Sequence, residues 1–382
     1  MVYISLAKPN HLFPMSQFSN TVSNRLFSLD VFRGLIMFLL IAEAAGFHDS
    51  FAQLTEGTAL YIAALQLQHH PWHGLRFWDL VQPFFMFIVG VAMPFSMKKR
   101  LAFGNRRALN THMAKRCAKL FLFGVLLHCI YSFGPVWELW NVLTQLAFTI
   151  AIAYGVMTRP YWFQMLFSVG LLVLTELLYR GYNPNAPYAL GHDHFGAWMD
   201  LLVMGKVNSG HWVFINFLPT AAHTIWGVVC GQLLLSKKPA QEKLGSLGFW
   251  GLTAMGLGFG LDALGITPII KRIATTSFTL ASGGTAIWTL AFFYWAIDVR
   301  GYKKPWLRFF SVVGTNSIFI YLFSETFGHL LFREFEMLWS TGLFHAWEAF
   351  KDWIMVVEAL LILLLLWGIT YFLDKRGIYF KV

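Results

Sequence analysis

The sequence predicts an all-α, polytopic integral membrane protein with about ten transmembrane helices. Three observations carry that prediction. Of the 382 residues, 57% are hydrophobic and 13% charged, about half the charged share of a soluble domain, and mean hydropathy is +0.56. Apolar runs of roughly 17–22 residues recur along nearly the whole chain, the length that crosses a bilayer core as helix. The 16 Trp and 38 Phe suit interfacial belts and lipid-facing surfaces.

The first helix is expected over residues 25–47. Asp30 and Arg33 are three apart and share a face of its first turn, where they can pair locally. Glu43 lies near the far end with no cation close in sequence. It either serves a site or snorkels to water. Residues 48–75 form an outer loop, and the second helix runs over about 77–97. The segment that follows, KKRLAFGNRRALNTHMAKR at 98–116, holds seven basic residues and no acidic one. It is the strongest cytoplasmic signal in the chain and fixes the orientation, with the N-terminus inside and His69 outside.

Eight further helices are expected at 117–133, 141–157, 161–179, 217–236, 245–263, 277–297, 309–331 and 353–373. The even count returns the C-terminus to the cytoplasm. Residues 1–24 lack a long apolar core and a small-residue cleavage site, so they read as a cytoplasmic tail. Residues 25–382 read as a single transmembrane domain embedded in a lipid bilayer. The net charge of +10 follows from the inner loops and gives no reason to expect nucleic-acid binding.

The longest outer segment, 180–216, is rich in Gly, Asn, Pro and His. Its middle, 197–204, reads as a short interfacial helix, and its length suits a lid or substrate-binding role. His192, Asp193 and His194 invite a zinc reading, but adjacent residues rarely ligate one ion without a distant third ligand, and no metal is expected. Gly227 and Gly231, four apart, offer a close-packing face between helices. His223, His128 and His329 read as polar groups that hydrogen-bond neighbouring helices. Lys271 and Arg272 are the main outer cations; they either hold an anionic substrate group or anchor the chain at the interface. Asn316 is a polar residue inside the ninth helix. Cys117, Cys129 and Cys230 have no metal-ligand spacing and read as small buried hydrophobes.

One stretch concentrates the chemistry: QLQHHPWHGLRFWDLVQPFFMFIVGVAMPFSM, residues 66–97. His69, His70, Trp72 and His73 fall within five positions and Gly74 closes the cluster. Asp79 then enters the membrane helix, where an ionisable group is costly and marks a candidate site. A neutral imidazole at His69 can take a proton from an amine or hydroxyl as it attacks a carbonyl. Asp79 or Glu43 could fix its tautomer and stabilise the imidazolium. The competing reading is an aromatic-rich interfacial loop. The chain carries no phosphate-binding P-loop, dinucleotide fingerprint or serine elbow.

Several segments resemble a known family: SLDVFRG at 28–34, HHPWHGLRFWDLVQPFFMFIVGVAMPFS at 69–96, NVLTQLAF at 141–148, PTAAHTIWGVVCG at 219–231, PIIKRIATTSFTLASGG at 268–284, then FFYWAIDV and GTNSIFIY. Together they are similar to the bacterial relatives of the lysosomal heparan-α-glucosaminide N-acetyltransferase, a transmembrane acyltransferase family. The resemblance implies acetyl-CoA bound from the cytoplasmic side as donor, an amino sugar or sugar hydroxyl as acceptor outside, a bacterial inner-membrane location and a homodimer. The family's catalytic histidine falls on His69, counting back from Trp72 and Gly74; Asp79, Pro83 and Gly90 match the helix that follows. Many relatives carry Asn near the outer end of the first helix, where this chain reads Ala42-Glu43-Ala44. No counterpart of the lysosomal enzyme's lumenal amino-terminal domain is seen, so a glycosaminoglycan acceptor is not assumed.

The sequence is therefore expected to encode an acyltransferase with His69, Asp79 and Glu43 as catalytic residues. Trp72, His73, Lys271, Arg272 and Asn316 are expected to contact substrate. Two other classes stand beside it. One is a proton-coupled transporter relaying through intramembrane Glu, Asp and His, which should show paired broken helices in related halves. The other is a membrane scaffold without activity.

Overall fold

A computed structural model describes residues 26–101, 106–328, 330, 331, 334 and 351–380. The expected tail 1–24, part of the basic segment and His329 lie outside the described residues. In chain order the helices are α1 (Phe27–Ala44), α2 (Phe47–Thr55), α3 (Tyr61–Leu65), α4 (Val81–Leu101), α5 (Arg106–Tyr131), α6 (Val142–Val156), α7 (Tyr161–Tyr182), α8 (Phe195–Met204), α9 (Phe217–Leu235), α10 (Ala240–Ala263), α11 (Thr276–Phe293), α12 (Leu307–Thr315), α13 (Ser317–Phe323) and α14 (Lys351–Lys375). A 3-10 turn, Phe77–Leu80, leads into α4. Among the described residues there is no strand; turns and irregular loops join the helices, with an isolated antiparallel bridge between His73 and Ile270.

Among the described residues six helices are long and apolar enough to cross a membrane: Phe77–Lys98, Tyr161–Tyr182, Phe214–Leu235, Ala240–Ala263, Thr276–Val299 and Trp353–Lys375. A bent pair, Leu307–Thr315 with Ser317–Gly328, would make a seventh. The other expected spans differ from these for visible reasons. Helix α1 carries Asp30, Arg33 and Glu43, and Arg33 Nη1 lies 4.0 Å from Asp30 Oδ1, as the i,i+3 spacing predicts. Helix α6 has only 15 residues. Helix α5 begins at Arg106 and not near residue 117, because its polar amino-terminal half continues as helix beyond the apolar run. The outer loop expected at 48–75 also holds two short helices, α2 and α3.

The chain forms two compact units, one from Met1–Tyr61 with Phe293–Val382 and one from Ile62–Phe292. In the first, α1 and α12 pack backbone to backbone. A Cβ on Gly34 would stand 1.8 Å from the Phe310 carbonyl oxygen, and one on Gly314 would stand 2.9 Å from the Asp30 oxygen. The ninth expected helix is not continuous. It breaks at Asn316 (φ −117°, ψ 37°) and bends by 80°. The Asn316 side chain explains the break: Nδ2 donates to Ile378 O at 3.0 Å and Oδ1 accepts from Phe380 N at 3.0 Å. It ties the bend to the segment after α14.

In the second unit the glycine face read from the sequence is a contact with α4. A Cβ on Gly227 would lie 2.1 Å from Phe87 O, one on Gly231 2.4 Å from Val91 O, and one on Gly90 2.1 Å from Thr224 O. Small residues on both helices let the backbones approach, which maximises dispersion where lipid offers no hydrophobic gain. Helices α10 and α11 use the same device at Gly258 and Gly284. His223 crosses from α9 to α11, its Nε2 2.9 Å from Thr279 O and 3.1 Å from Ser282 Oγ, so this histidine joins helices. His128 pairs with Glu138 at 2.7 Å.

Candidate functional site

The histidine loop is closed on itself before it meets anything else. Gln66 holds its end: Trp78 N donates to Gln66 O at 2.8 Å and Phe77 N to Gln66 Oε1 at 3.2 Å. Arg76 Nη1 donates to His69 O at 2.9 Å. Asp79, at 1% exposure, reaches back into the loop. Its Oδ2 accepts from Arg76 N at 2.9 Å and His70 N at 3.2 Å. Gly74 has φ +143°, and a Cβ there would lie 2.6 Å from His70 Nε2. Only glycine fits this turn.

A second closed loop sits against the first. Thr275 Oγ1 donates to Pro268 O at 2.6 Å and accepts from Ile270 N at 3.0 Å. Asp262 Oδ1 accepts from Ile269 N at 2.8 Å. Asn216 Nδ2 donates to Arg272 O at 2.6 Å. Lys271 and Arg272 therefore stand at the tip of a tightly held turn. The two loops are clipped by Gly74 N donating to Ile269 O at 2.9 Å beside the His73–Ile270 bridge. The clip brings residues some two hundred positions apart into contact.

At the junction His69 Nδ1 lies 3.1 Å from Asp79 Oδ1 and 3.0 Å from Lys271 Nζ, and Lys271 Nζ lies 3.6 Å from Asp79 Oδ1. Lys271 is 7% exposed and the His69 side chain 34%. Among the described residues no hydrogen bond engages His69 Nε2. Trp212 forms a wall: its ring centroid is 5.5 Å from that of His69, 5.3 Å from Lys271 Nζ and 5.8 Å from Arg272 Cζ. Burial lowers the His69 pKa from 6.5. The hydrogen bond to Asp79 opposes that, and the charges of Lys271 and Arg272 add to it. The imidazole is thus a neutral base near pH 7 with one nitrogen held and the other open. That arrangement can accept a proton from an attacking nucleophile and return it.

His73 Nε2 pairs with Asp262 Oδ1 at 2.7 Å and stays exposed. Trp72 Nε1 donates to Tyr188 O at 3.1 Å, and its ring packs near His194 and His211. His69, Trp72, His73, Asp79, Lys271 and Arg272 all belong to the second unit, whereas Glu43 on α1 and Asn316 belong to the first. His192, Asp193 and His194 go separate ways: His192 is exposed, Asp193 bonds Asn183, and His194 is buried at the start of α8. Among the described residues no group of three or more His, Cys, Asp or Glu could hold a metal ion. Sequence reading did not single out Trp212, Asp262, Arg76 or Gln66. Trp212 carries a faint signal, an aromatic after Ser-Gly-His in the long outer segment.

Comparison with known families gives one match. Residues 25–266, more than half of the chain, fit the family model described as heparan-alpha-glucosaminide N-acetyltransferase, catalytic. The matched region takes in the histidine loop and Asp79 and ends just before Lys271. No curated protein matches the chain.

Proposed function

The chain belongs to the heparan-alpha-glucosaminide N-acetyltransferase catalytic family, and from that premise we propose that it moves an acetyl group from cytoplasmic acetyl-CoA to a sugar amine or hydroxyl outside, with His69 as general base. The observation that carries this reading is the buried Asp79 carboxylate on Nδ1 of His69, beside an Nε2 left open. In the reaction, the acceptor N–H or O–H loses its proton to Nε2 as the heteroatom bonds to the thioester carbonyl carbon. The tetrahedral intermediate then expels the CoA thiolate, which takes that proton back from the imidazolium. No net proton is consumed. Asp79 holds the ring and stabilises its charged form. Arg272 and Lys271 supply positive charge for the developing oxyanion or for an anionic group of a substrate. Trp72, His73 and Trp212 line the acceptor side.

The topology that goes with this reading has ten crossings and both termini in the cytoplasm, in a bacterial inner membrane. The span Phe77–Lys98 has 22 residues and rises about 33 Å, a bilayer's core. It separates Asp79 at one end from Lys98 at the other, which supports a site at one face and the basic segment at the opposite face.

The test is transfer of radiolabelled acetyl from acetyl-CoA to a panel of amino sugars by the purified protein in detergent, beside His69→Ala. Label should move to a sugar only with the histidine intact. Full transfer by a folded His69→Ala protein sinks the assignment. Uptake of labelled sugar into proteoliposomes without any acyl donor would favour a transporter instead.

A further inference from the structure

Resting on the acyltransferase reading, the surroundings of His69 Nδ1 point to a task for Lys271. The Nδ1 atom has two neighbours that make opposite demands. Asp79 Oδ1, 3.1 Å away, is an acceptor and needs a proton on Nδ1. Lys271 Nζ, 3.0 Å away, carries only donors as an ammonium and needs a lone pair there. A neutral imidazole can satisfy one of them. If Nδ1 is protonated, Nε2 is the open base. If Nδ1 accepts from Lys271, Nε2 carries the proton and cannot act as one.

Asp79 keeps good partners in either case, since its Oδ2 accepts two backbone N–H groups and its Oδ1 also lies 3.6 Å from Lys271 Nζ. The ammonium is not confined to one partner either. It lies 5.3 Å from the Trp212 ring centroid, a face that can hold a cation.

We propose that Lys271 is a positioning residue that sets the tautomer of His69. Against Nδ1 it holds the ring in the Nε2–H form, and its withdrawal onto a carbonyl or anionic oxygen of a bound substrate switches the ring to the basic form. In the switch Nε2 gives its proton to water as Nδ1 takes one from water and keeps it, hydrogen-bonded to Asp79 Oδ1, so the ring stays neutral and nothing is consumed. The base is then exposed only when a substrate oxygen occupies the site, which restrains attack by water on the acyl donor.

The experiment reads the ring itself and needs no turnover. With ¹⁵N-histidine label in the full-length protein in detergent, and His69→Gln to assign the signals, NMR at neutral pH distinguishes the two tautomers. The wild type should show an unprotonated Nδ1 and a protonated Nε2. In Lys271→Met the pattern should reverse, and in Lys271→Arg, which keeps a donor-only cation, it should stay as in the wild type. A second readout is carbethoxylation of His69 by diethyl pyrocarbonate, followed by peptide mass spectrometry. Lys271→Met should react about tenfold faster or more, as a minor tautomer becomes the major one.

A wild-type Nδ1–H signal overturns the proposal by itself, even if Lys271→Met does not fold. So does an unchanged tautomer and reaction rate in folded Lys271→Met. Because neither readout involves acyl transfer, a failure of the acyltransferase reading would show in the transfer assay and leave these signals untouched.

Discussion

Nδ1 of His69 lies 3.1 Å from Oδ1 of Asp79, and the second oxygen of the same carboxylate accepts the backbone N–H of His70 and of Arg76. One buried side chain thus fixes both the ring and the loop that carries it. Asp79→Asn keeps the size and can keep one oxygen on the backbone amides. It removes the charge that supports an imidazolium and turns an amide N–H towards Nδ1. We expect acyl transfer to fall by about 10²–10⁴-fold while the protein remains folded and monodisperse. Comparing single-turnover rates of the variant and the wild type checks this. Near-normal turnover would mean that the carboxylate serves the loop alone.

The pH dependence of transfer follows from the surroundings of His69. Burial is the leading cause of its lowered pKa; Asp79 acts the other way and Lys271 and Arg272 act with burial. A base whose protonated form is disfavoured stays active to lower pH. The acidic limb of the rate profile should therefore lie below 6.5, with full activity above it and loss as pH falls through the limb. Removing the cation in Lys271→Met takes away one lowering influence, so its limb should move up. Rates at saturating donor across pH 4–8 test both; a limb above 6.5 in the wild type would contradict the burial argument.

The parts of this molecule that were legible in the sequence are those encoded by local pattern. Apolar runs gave six of the ten expected spans among the described residues, or seven with the bent pair, Gly227 and Gly231 gave a close-packing face without its partner helix, and the i,i+3 pair gave Asp30 with Arg33. Gly74, closing the histidine cluster, marks a turn, and the structure adds the reason, a His70 ring that crowds any Cβ there. The site's second half was not legible as geometry. Lys271 and Arg272 were visible as cations, but their meeting with His69 depends on a backbone clip between Gly74 and Ile269. No spacing rule announces a contact of that sequence separation. Asp262 was passed over for the same reason, since its partners are His73 and Ile269 N. The break at Asn316 falls in Gly314-Thr315-Asn316-Ser317, a run of turn-forming residues, between apolar flanks that read as one continuous helix.

The α4–α9 contact yields a stability prediction that is independent of catalysis. A Cβ at Gly227 would stand 2.1 Å from Phe87 O and 2.9 Å from Val91 N. These are backbone atoms of a helix and cannot rotate away. Gly227→Leu must push the helices apart, at a cost of about 1–3 kcal/mol or more. A lower thermal unfolding midpoint in detergent, with smaller losses for Gly227→Ala, is the expected result. A Leu variant melting with the wild type would show that α9 does not pack here as described.

His194 provides a pH-dependent prediction away from His69. Its Nδ1 accepts from Ala197 N at 3.2 Å and so caps the first turn of α8, in the role usually filled by Ser, Asp or Asn. The residue is 1% exposed, and burial pushes its pKa down from 6.5 to about 4. The nearby His192, His211 and Asp193 modify that value less than burial does. Protonation converts the accepting nitrogen into a donor, which cannot cap. Since the folded pKa lies below the unfolded one, the stabilisation is complete above about 6.5 and drains away as pH falls towards 4. It amounts to on the order of 3 kcal/mol at most. Hydrogen exchange should therefore show residues 195–204 opening more often at pH 5 than at pH 7.5, after correction for intrinsic rates. His194→Asn retains a capping oxygen without a titrating ring, so its exchange in that segment should be nearly independent of pH. Equal sensitivity in the Asn variant would assign the opening to another group.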